Sequence, residues 1–366
     1  MSASIPHYAP EFKIEIDGID EYILREWVIS VKVTEELNSA AQFSITLNDQ
    51  FVVDQKKFVW LDNSNMQPGN KITIHMGYAG ELTTLLESAK IESVVTSGFS
   101  QSAAPTLTIT GHDSSKDGLN ERPKVPDGTT SLDLTGSDIV KMLASNAGLT
   151  VEINLEGATE FPTKITKNPS NTYGAILQDR AKGIGFDYFV SRGIVYFINS
   201  RKPESPDMTF EWGKDLIKFT PRINTSDLVP GVKVSASSRT SSKPITAEAS
   251  TGDEDTWDDG IKPSELANKI WGPKKEPKEI SPSNISSQEE AEARAKAELN
   301  SIGDKLIEGT GSIVGTPELQ VGKKIKLDGL GTKFSGVYFV TKVENQISKN
   351  GYTTSFSVRK NTLNEE

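Results

Sequence analysis

The residue types that carry most enzymatic chemistry are scarce in this 366-residue chain. There is no cysteine, which excludes disulfides, Cys-ligated zinc and thiol nucleophiles. The three histidines, His7, His75 and His112, stand far apart, in neither H-x-x-x-H nor H-x-H spacing, so a His-built metal site would need distant loops. No G-x-S-x-G occurs. A Ser-His-Asp site would rest on His75 or His112, and both sit at strand positions that suit an ordinary surface or edge role. Asp and Glu number 50, so some pair will fall at a glycosidase-like separation by accident, and nothing in the sequence selects one.

Three further groups invite a functional reading. Asp253-Glu254-Asp255 with Asp258-Asp259 begins like a calcium loop, but Trp257 stands where the third ligand belongs, so a solvated, mobile loop is expected. Gly183-Ile184-Gly185 follows a helical pattern and precedes a strand, the reverse of a nucleotide-binding turn, so helix termination is expected. No P-loop motif is present. Trp212, Trp257 and Trp271 could stack on sugars; Trp257 and Trp271 flank a Pro/Lys-rich stretch and are assigned instead to a subunit contact. No catalytic, cofactor or metal residue is assigned, and the chain is expected not to be an enzyme.

Bulk charge narrows the partners. A formal net charge of -10, with no basic run longer than pairs such as Lys274-Lys275, argues against nonspecific nucleic-acid binding. Met1 to Pro10 lacks the charged and apolar regions of a secretory signal, and no stretch has the roughly 20 apolar residues of a membrane helix. Assembly in the bacterial cytoplasm without a signal peptide, and no stable membrane insertion, are expected.

The elements that would position these residues are mostly strands. Phe12–Ile16, Val28–Thr34, Gln42–Leu47, Lys71–Met76, Lys90–Val95 and Thr106–Thr110 alternate apolar and polar residues between turn signals such as Asp17-Gly18 and Pro68-Gly69. After Pro126 the period changes. Ser137 is placed to cap a helix carrying Ile139, Val140, Leu143 and Ala147; a second helix follows Asn171-Thr172, then a hairpin turns at Ser191-Arg192-Gly193. Strands return at Leu216–Ile223 and Gly231–Ala236. Ser237 to Ser283 shows no usable period and is expected to be a long excursion or partly ordered loop. Ser287 and Glu290 then fit a capping box ahead of Ala291, Ala295 and Leu299.

One repeat organises the chain. Gly69, Lys71 and Ile72 have counterparts in Gly322, Lys324 and Ile325, and the following Lys90-Ile91-Glu92 resembles Lys342-Val343-Glu344. A turn glycine admitting an alternating strand and its hairpin return would be built twice. The fold expected is mainly β (α+β): two related β-barrel tube-type domains with an inserted small α+β domain. The expected division is 1–122 for the first barrel, 123–205 for the insert, 206–240 with 305–366 for the second barrel, and 241–304 for the excursion and its helix.

Gly315 to Ile325, Phe334 to Val343 and Gly351 to Phe356, with Asn171 to Leu177, Ala181 to Phe186 and the Ala-rich Ser286 to Leu299, resemble the phage late control D proteins and the hub portion of VgrG spike proteins. The resemblance spans nearly the whole chain, in the family's order. It implies a homotrimeric tail baseplate hub without cofactors, in which two barrels per chain adapt a six-fold tube to a three-fold spike. Its implied partners are a spike protein, the tail tube or a tube-initiator ring, baseplate wedge proteins and a tape-measure protein, in a virion or an injection particle that includes extracellular types. Spike fusions continue into a further barrel and β-helix; this sequence stops at Glu366, so a separate piercing protein is expected. The rival readings are a cell-wall-active tail-tip module, which binds or hydrolyses peptidoglycan, and an effector-carrying type VI spike relative.

Overall fold

Alternation decides which residues meet. In β1 (Pro10–Ile16), β2 (Val28–Glu36), β3 (Gln42–Asn48), β4 (Lys71–Tyr78), β5 (Glu81–Thr96) and β6 (Thr106–His112) alternation, interrupted by bulges in β2 and β5, turns apolar side chains to one core. Ile14, Val31, Ile45, Ile74, Leu107 and Ile109 are all nearly completely buried there. The computed structural model describes residues 9–99, 104–124, 127, 131–156, 158–166, 170–201, 205–236, 244–282 and 285–364. His7, Pro126, residues 237–243 of the expected excursion, and Ser283 lie outside the described residues.

The insert has its own core. Helices α1 (Gly136–Ala147) and α2 (Tyr173–Ile184) pack through Ile139, Val140, Leu143 and Leu177 on a small sheet of β7 (Thr150–Asn154), β9 (Ile194–Ile198) and β8 (Asp187–Ser191). Thr135, not Ser137, caps α1: its hydroxyl accepts from the Asp138 amide and the Asp138 carboxylate accepts from the Thr135 amide. The box needs a residue three before an acid, which Thr135 has and Ser137 lacks. Gly185, left-handed at φ +75°, stops α2, while Gly183 lies inside its last turn.

The remainder comprises β10 (Met208–Glu211), β11 (Leu216–Ile223), β12 (Val232–Ala236), β13 (Ile245–Ala249), helix α3 (Pro263–Trp271), β14 (Lys278–Ile280), helix α4 (Gln288–Gly303), β15 (Ile307–Val314), β16 (Lys324–Asp328), β17 (Gly336–Ser348) and β18 (Gly351–Lys360). Of the expected long excursion or partly ordered loop, residues 244–282 instead carry regular structure. Its β13 and β14 flank β12, and α4 covers that sheet with Ala291, Ala295 and Leu299. The period is faint because the buried face of β13 is made of Ala247 and Ala249, whose small side chains barely mark the alternation.

The chain is mainly β, and its two large β modules are joined edge to edge. The main sheet of 13 strands runs β11-β15-β18-β17-β2-β3-β6-β5-β4-β1, with Ile19–Asp20 beyond β1 and with β16 and β10 branching from β17. The N-module is β1 to β6; the C-module is β10, β11 and β15 to β18.

Candidate functional site

Gly69 and Gly322 occupy like places. Their φ values are +101° and +82°, and each precedes a strand opened by lysine, β4 at Lys71 and β16 at Lys324. The Gly69 amide donates to the Ile91 carbonyl at 2.8 Å and the Ile91 amide to the Asn70 carbonyl at 2.9 Å. In the C-module the Gly322 amide donates to Val340 at 3.0 Å and the Val340 amide to Lys323 at 2.9 Å. Each strand then bulges: Ile91 pairs with Gly111 and Ser93 with Thr110, as Val340 pairs with Val358 and Lys342 with Ser357. A second bulge recurs between Val28 and Ser30 opposite β3, and between Leu216 and Lys218 opposite β15. Strands β2-β3-β6-β5-β4 and β11-β15-β18-β17-β16 thus share order and these two bulges, while the irregular pairing of β4 with β5 past Ile72 has no counterpart between β16 and β17. Two bulges at matched places are a shared design rather than a chance likeness.

Lys71 and Ile72 correspond to Lys324 and Ile325 in this scheme. Lys90 and Glu92 do not correspond to Lys342 and Glu344: the ladders set Lys90 opposite His112 as Phe339 is set opposite Arg359, and the bulged Glu92 matches Thr341. Register follows the buried face and the bulge, whereas the Lys-apolar-Glu likeness concerns outward residues that the core does not constrain.

The modules meet where β17 pairs antiparallel with β2, from Lys342 opposite Glu36 to Ser348 opposite Ser30. Lys342 lies 3.3 Å from Glu36 and Lys32 lies 3.5 Å from Glu344. Such exposed pairs contribute about 0–1 kcal/mol each, so they select register more than they add strength. Beneath them the Asn345 amide oxygen accepts from the Tyr352 hydroxyl at 2.9 Å and the Thr354 hydroxyl at 2.7 Å. The Tyr78 hydroxyl crosses from the N-module to donate to the Gly315 carbonyl at 2.8 Å.

Glu35 lies at the joint, opposite Val343, and accepts from the Ser191 hydroxyl of the insert at 2.6 Å. Burial pushes its carboxyl up to about 7, against the opposing pull of the Ser191 bond and of Arg192. The folded state therefore binds a proton that the unfolded chain releases at its ordinary value of 4.5. The contribution of Glu35 to stability is greatest below that value, falls as pH rises through 7, and stays low above it. Glu35→Gln should flatten this fall and raise stability at pH 8 by about 2 kcal/mol, the relieved ionisation penalty being offset in part by a weaker bond to Ser191. Thermal midpoints of both proteins between pH 5 and 8 check it; parallel curves would refute it.

A buried ionic cluster fastens the insert and α4 to the C-module. Asp187 accepts from Arg359 at 2.6 Å and from the Ser200 hydroxyl at 2.5 Å. Asp304 accepts from Arg201, lies 3.6 Å from Arg359, and accepts from the Asn361 amide at 3.4 Å. Burial pushes the Asp187 carboxyl up, but the Arg359 and Arg201 guanidiniums outweigh it and hold the group below its ordinary range. Trp257 belongs to this cluster. It is 5% exposed, stacks on Phe339 with centroids 5.5 Å apart, and donates its indole N–H to the Ser200 carbonyl at 2.7 Å. Its ring is spent inside the chain, so of the two tryptophans assigned to a subunit contact only Trp271 has an exposed ring, with Lys275 5.3 Å above it; Trp212 is also exposed.

The other candidates are engaged locally. Glu254, 3% exposed, accepts from the Ser264 amide and hydroxyl, both at 2.7 Å. Asp255 pairs with Lys296 at 2.8 Å, and Asp258 accepts from the Val337 amide at 3.0 Å. The acidic run is thus an ordered set of ties rather than a solvated loop, because cations and amides from α4 and β17 converge on it. Among the described residues no cluster of three or more His, Cys, Asp or Glu side chains could hold a metal ion. His75 sits in a cross-strand row with Thr84 at 2.9 Å, and His112 lies between Glu92 and Lys116, each at 3.1 Å. Among the described residues no helix is long and apolar enough to cross a membrane. Sequence reasoning missed Glu35, the Arg359 cluster and the sheet edges; Pro221, inside the alternating run of β11, was the available signal for an edge.

The family model that matches the sequence is the Alg8 N-terminal domain, over residues 8–349. No curated protein matches. Among solved structures, the chain is similar to the 43 kDa tail protein of prophage MuSo2 from Shewanella oneidensis, at 14% identity and TM-score 0.70, covering 96% of this chain and 98% of that one. It is similar to a tail protein from Neisseria meningitidis MC58, at 15% identity and TM-score 0.67, over 96% and 97% of the two chains. It is also similar to the E. coli c3393 protein, a type VI secretion system component with structural similarity to T4 bacteriophage tail proteins gp27 and gp5, at 10% identity and TM-score 0.56, over 97% and 77%. At these identities the likeness is one of fold, and it is the fold that the sequence resemblance implied.

Proposed function

The chain belongs to the Alg8 N-terminal domain family, and from that premise and its tail-protein fold we propose that it is a structural hub of a contractile injection particle: a homotrimer that adapts a six-fold tube to a three-fold spike. The observation that carries the proposal is the recurrence of one strand register, with both bulges, in two modules of a single chain. Three copies then offer six like modules to a tube while keeping three-fold features, such as the insert, elsewhere. Closed cyclic assembly is the common solution for identical chains.

The face of the sheet turned away from the two cores suits a channel wall. Thr46, Thr108 and Thr110 of the N-module match Ser312, Ser355 and Ser357 of the C-module in register, hydroxyl for hydroxyl. Lys218 stands opposite Ser312, Glu344 opposite Ser355 and Lys342 opposite Ser357, so such a lining mixes hydroxyls with charges of both signs. The role is mechanical: passing force from tube to spike and holding the channel. The tube or its first ring, a spike protein, baseplate wedges and a tape-measure protein are the proposed partners, with assembly in the bacterial cytoplasm. None of the side-chain groupings described above favours the cell-wall-active reading.

Light scattering of the purified protein should give three times the 39.9 kDa chain mass, and end-on electron microscopy averages should show an inner ring with six-fold modulation. A species that stays monomeric or dimeric at micromolar concentration would sink the proposal.

A further inference from the structure

The joint between β17 and β2 uses two strands whose counterparts in the other module are β5 and β11. β17 corresponds to β5, and β2 to β11. Inside the chain, β17 and β2 are partners. Their counterparts are both left open: past Ile91 one edge of β5 pairs with no strand among the described residues, and β11 ends the sheet. One chain therefore carries a formed joint and the two separate halves of a second one.

We propose that these halves close on each other between neighbouring copies, β5 of one chain pairing antiparallel with β11 of the next in the register of the internal joint. The inference rests on the hub reading and specifies its subunit contact. Transferring the β17–β2 register sets Ser93 opposite Asn224, Val94 opposite Ile223, Val95 opposite Arg222 and Thr96 opposite Pro221. The internal joint also has the Leu37 amide donating to the carbonyl of the bulged Thr341 at 3.0 Å; its transferred equivalent is the Thr225 amide donating to Glu92.

Three observations support a second copy as the occupant. The first is burial. Val343 and Val31 are both 0% exposed at the internal joint, whereas their counterparts Val94 and Phe219 are only part-buried. Pairing would cover these apolar groups as the internal joint already covers their equivalents. The second is charge: none of the transferred pairs sets like charges against each other. The third is backbone direction. The Asn224 amide donates to the carbonyl of Leu306, the residue before β15, so strand alternation turns the backbone groups of 219, 221 and 223 to the open edge. Pro221 accordingly has no N–H to offer there. An edge proline blunts indiscriminate strand pairing; here it removes one bond from the ladder, at Thr96, and leaves its carbonyl as acceptor.

Since the chain has no cysteine, introduced pairs report the register directly. Residues opposite each other without mutual hydrogen bonds, as Val95 and Arg222 would be, have Cα atoms about 4.5 Å apart, within disulfide range. Mild oxidation of the Val95→Cys/Arg222→Cys protein should convert it to a covalent trimer on a non-reducing gel, and Val95→Cys/Lys218→Cys should not. Lys32→Cys/Gln346→Cys, across the internal joint, is the positive control and should close within one chain. A trimer by light scattering that fails to cross-link at 95–222, or that cross-links at 95–218, overturns the register and leaves the hub reading standing. A persistent monomer overturns both.

Discussion

Replacing Asp304 with alanine should cost about 3–5 kcal/mol of folding free energy, among the largest losses any single change in this chain can produce. Asp304 is 2% exposed and follows α4 directly; it is the carboxylate shared by Arg201 from the end of the insert and Arg359 from β18. Neither guanidinium can shed its proton, so neither escapes burial by becoming neutral. Without Asp304, Arg359 keeps Asp187 at 2.6 Å, but Arg201 is left with the Gly185 carbonyl as its near partner. The cost is that of a desolvated charge, and it falls where the insert, α4 and the C-module are fastened together. Urea denaturation of Asp304→Ala and Asp304→Asn should both show it. Asp179→Ala removes an Arg180 partner whose carboxylate is 53% exposed, and should change stability by less than about 1 kcal/mol. Comparable losses at the two sites would mean that the Asp304 cluster is solvated.

What the sequence made legible, and what it hid, follows from where information is stored in a β module. Strands such as Lys71–Tyr78 were visible because large apolar residues alternate with polar ones, and Gly69 and Gly322 because a positive φ requires glycine whatever the core contains. The insert was visible because its period changes. The sheet of β12, β13 and β14 was not, since its buried face is partly alanine and its partners are distant in sequence. The acidic run around Asp255 was misjudged for a related reason: composition shows charge but not the Lys296 and Lys360 that come back to meet it. The Lys90-to-Lys342 pairing failed because an outward Lys-apolar-Glu pattern recurs three residues out of step with the ladder, where the core does not constrain it.

Gly311→Ile tests whether the two modules share a core scheme despite sequences that hardly match, and it should cost about 3 kcal/mol or more. A Cβ at Gly311 would lie 2.4 Å from the Phe356 ring and 3.0 Å from the Lys218 carbonyl, so the change overfills a packed site. Gly311 and Phe356 are registered partners across β15 and β18; their N-module counterparts across β3 and β6 are Ile45 and Ile109, also registered and almost fully buried. Equivalent register positions are thus filled as Ile with Ile in one module and as Gly with Phe in the other, which is why residue-by-residue comparison sees so little of the repeat. Phe356→Ile alone should cost about 1–2 kcal/mol through the space it opens beside Gly311. If the modules are equivalent in core as well as register, Gly311→Ile/Phe356→Ile rebuilds the N-module pair, and the double variant should be more stable than Gly311→Ile by at least about 1 kcal/mol. The interaction energy from the four-protein cycle, measured by chemical denaturation, is the readout. Strictly additive losses would mean that the registers match while the space behind the sheet does not, and would confine the repeat to its hydrogen-bonded frame.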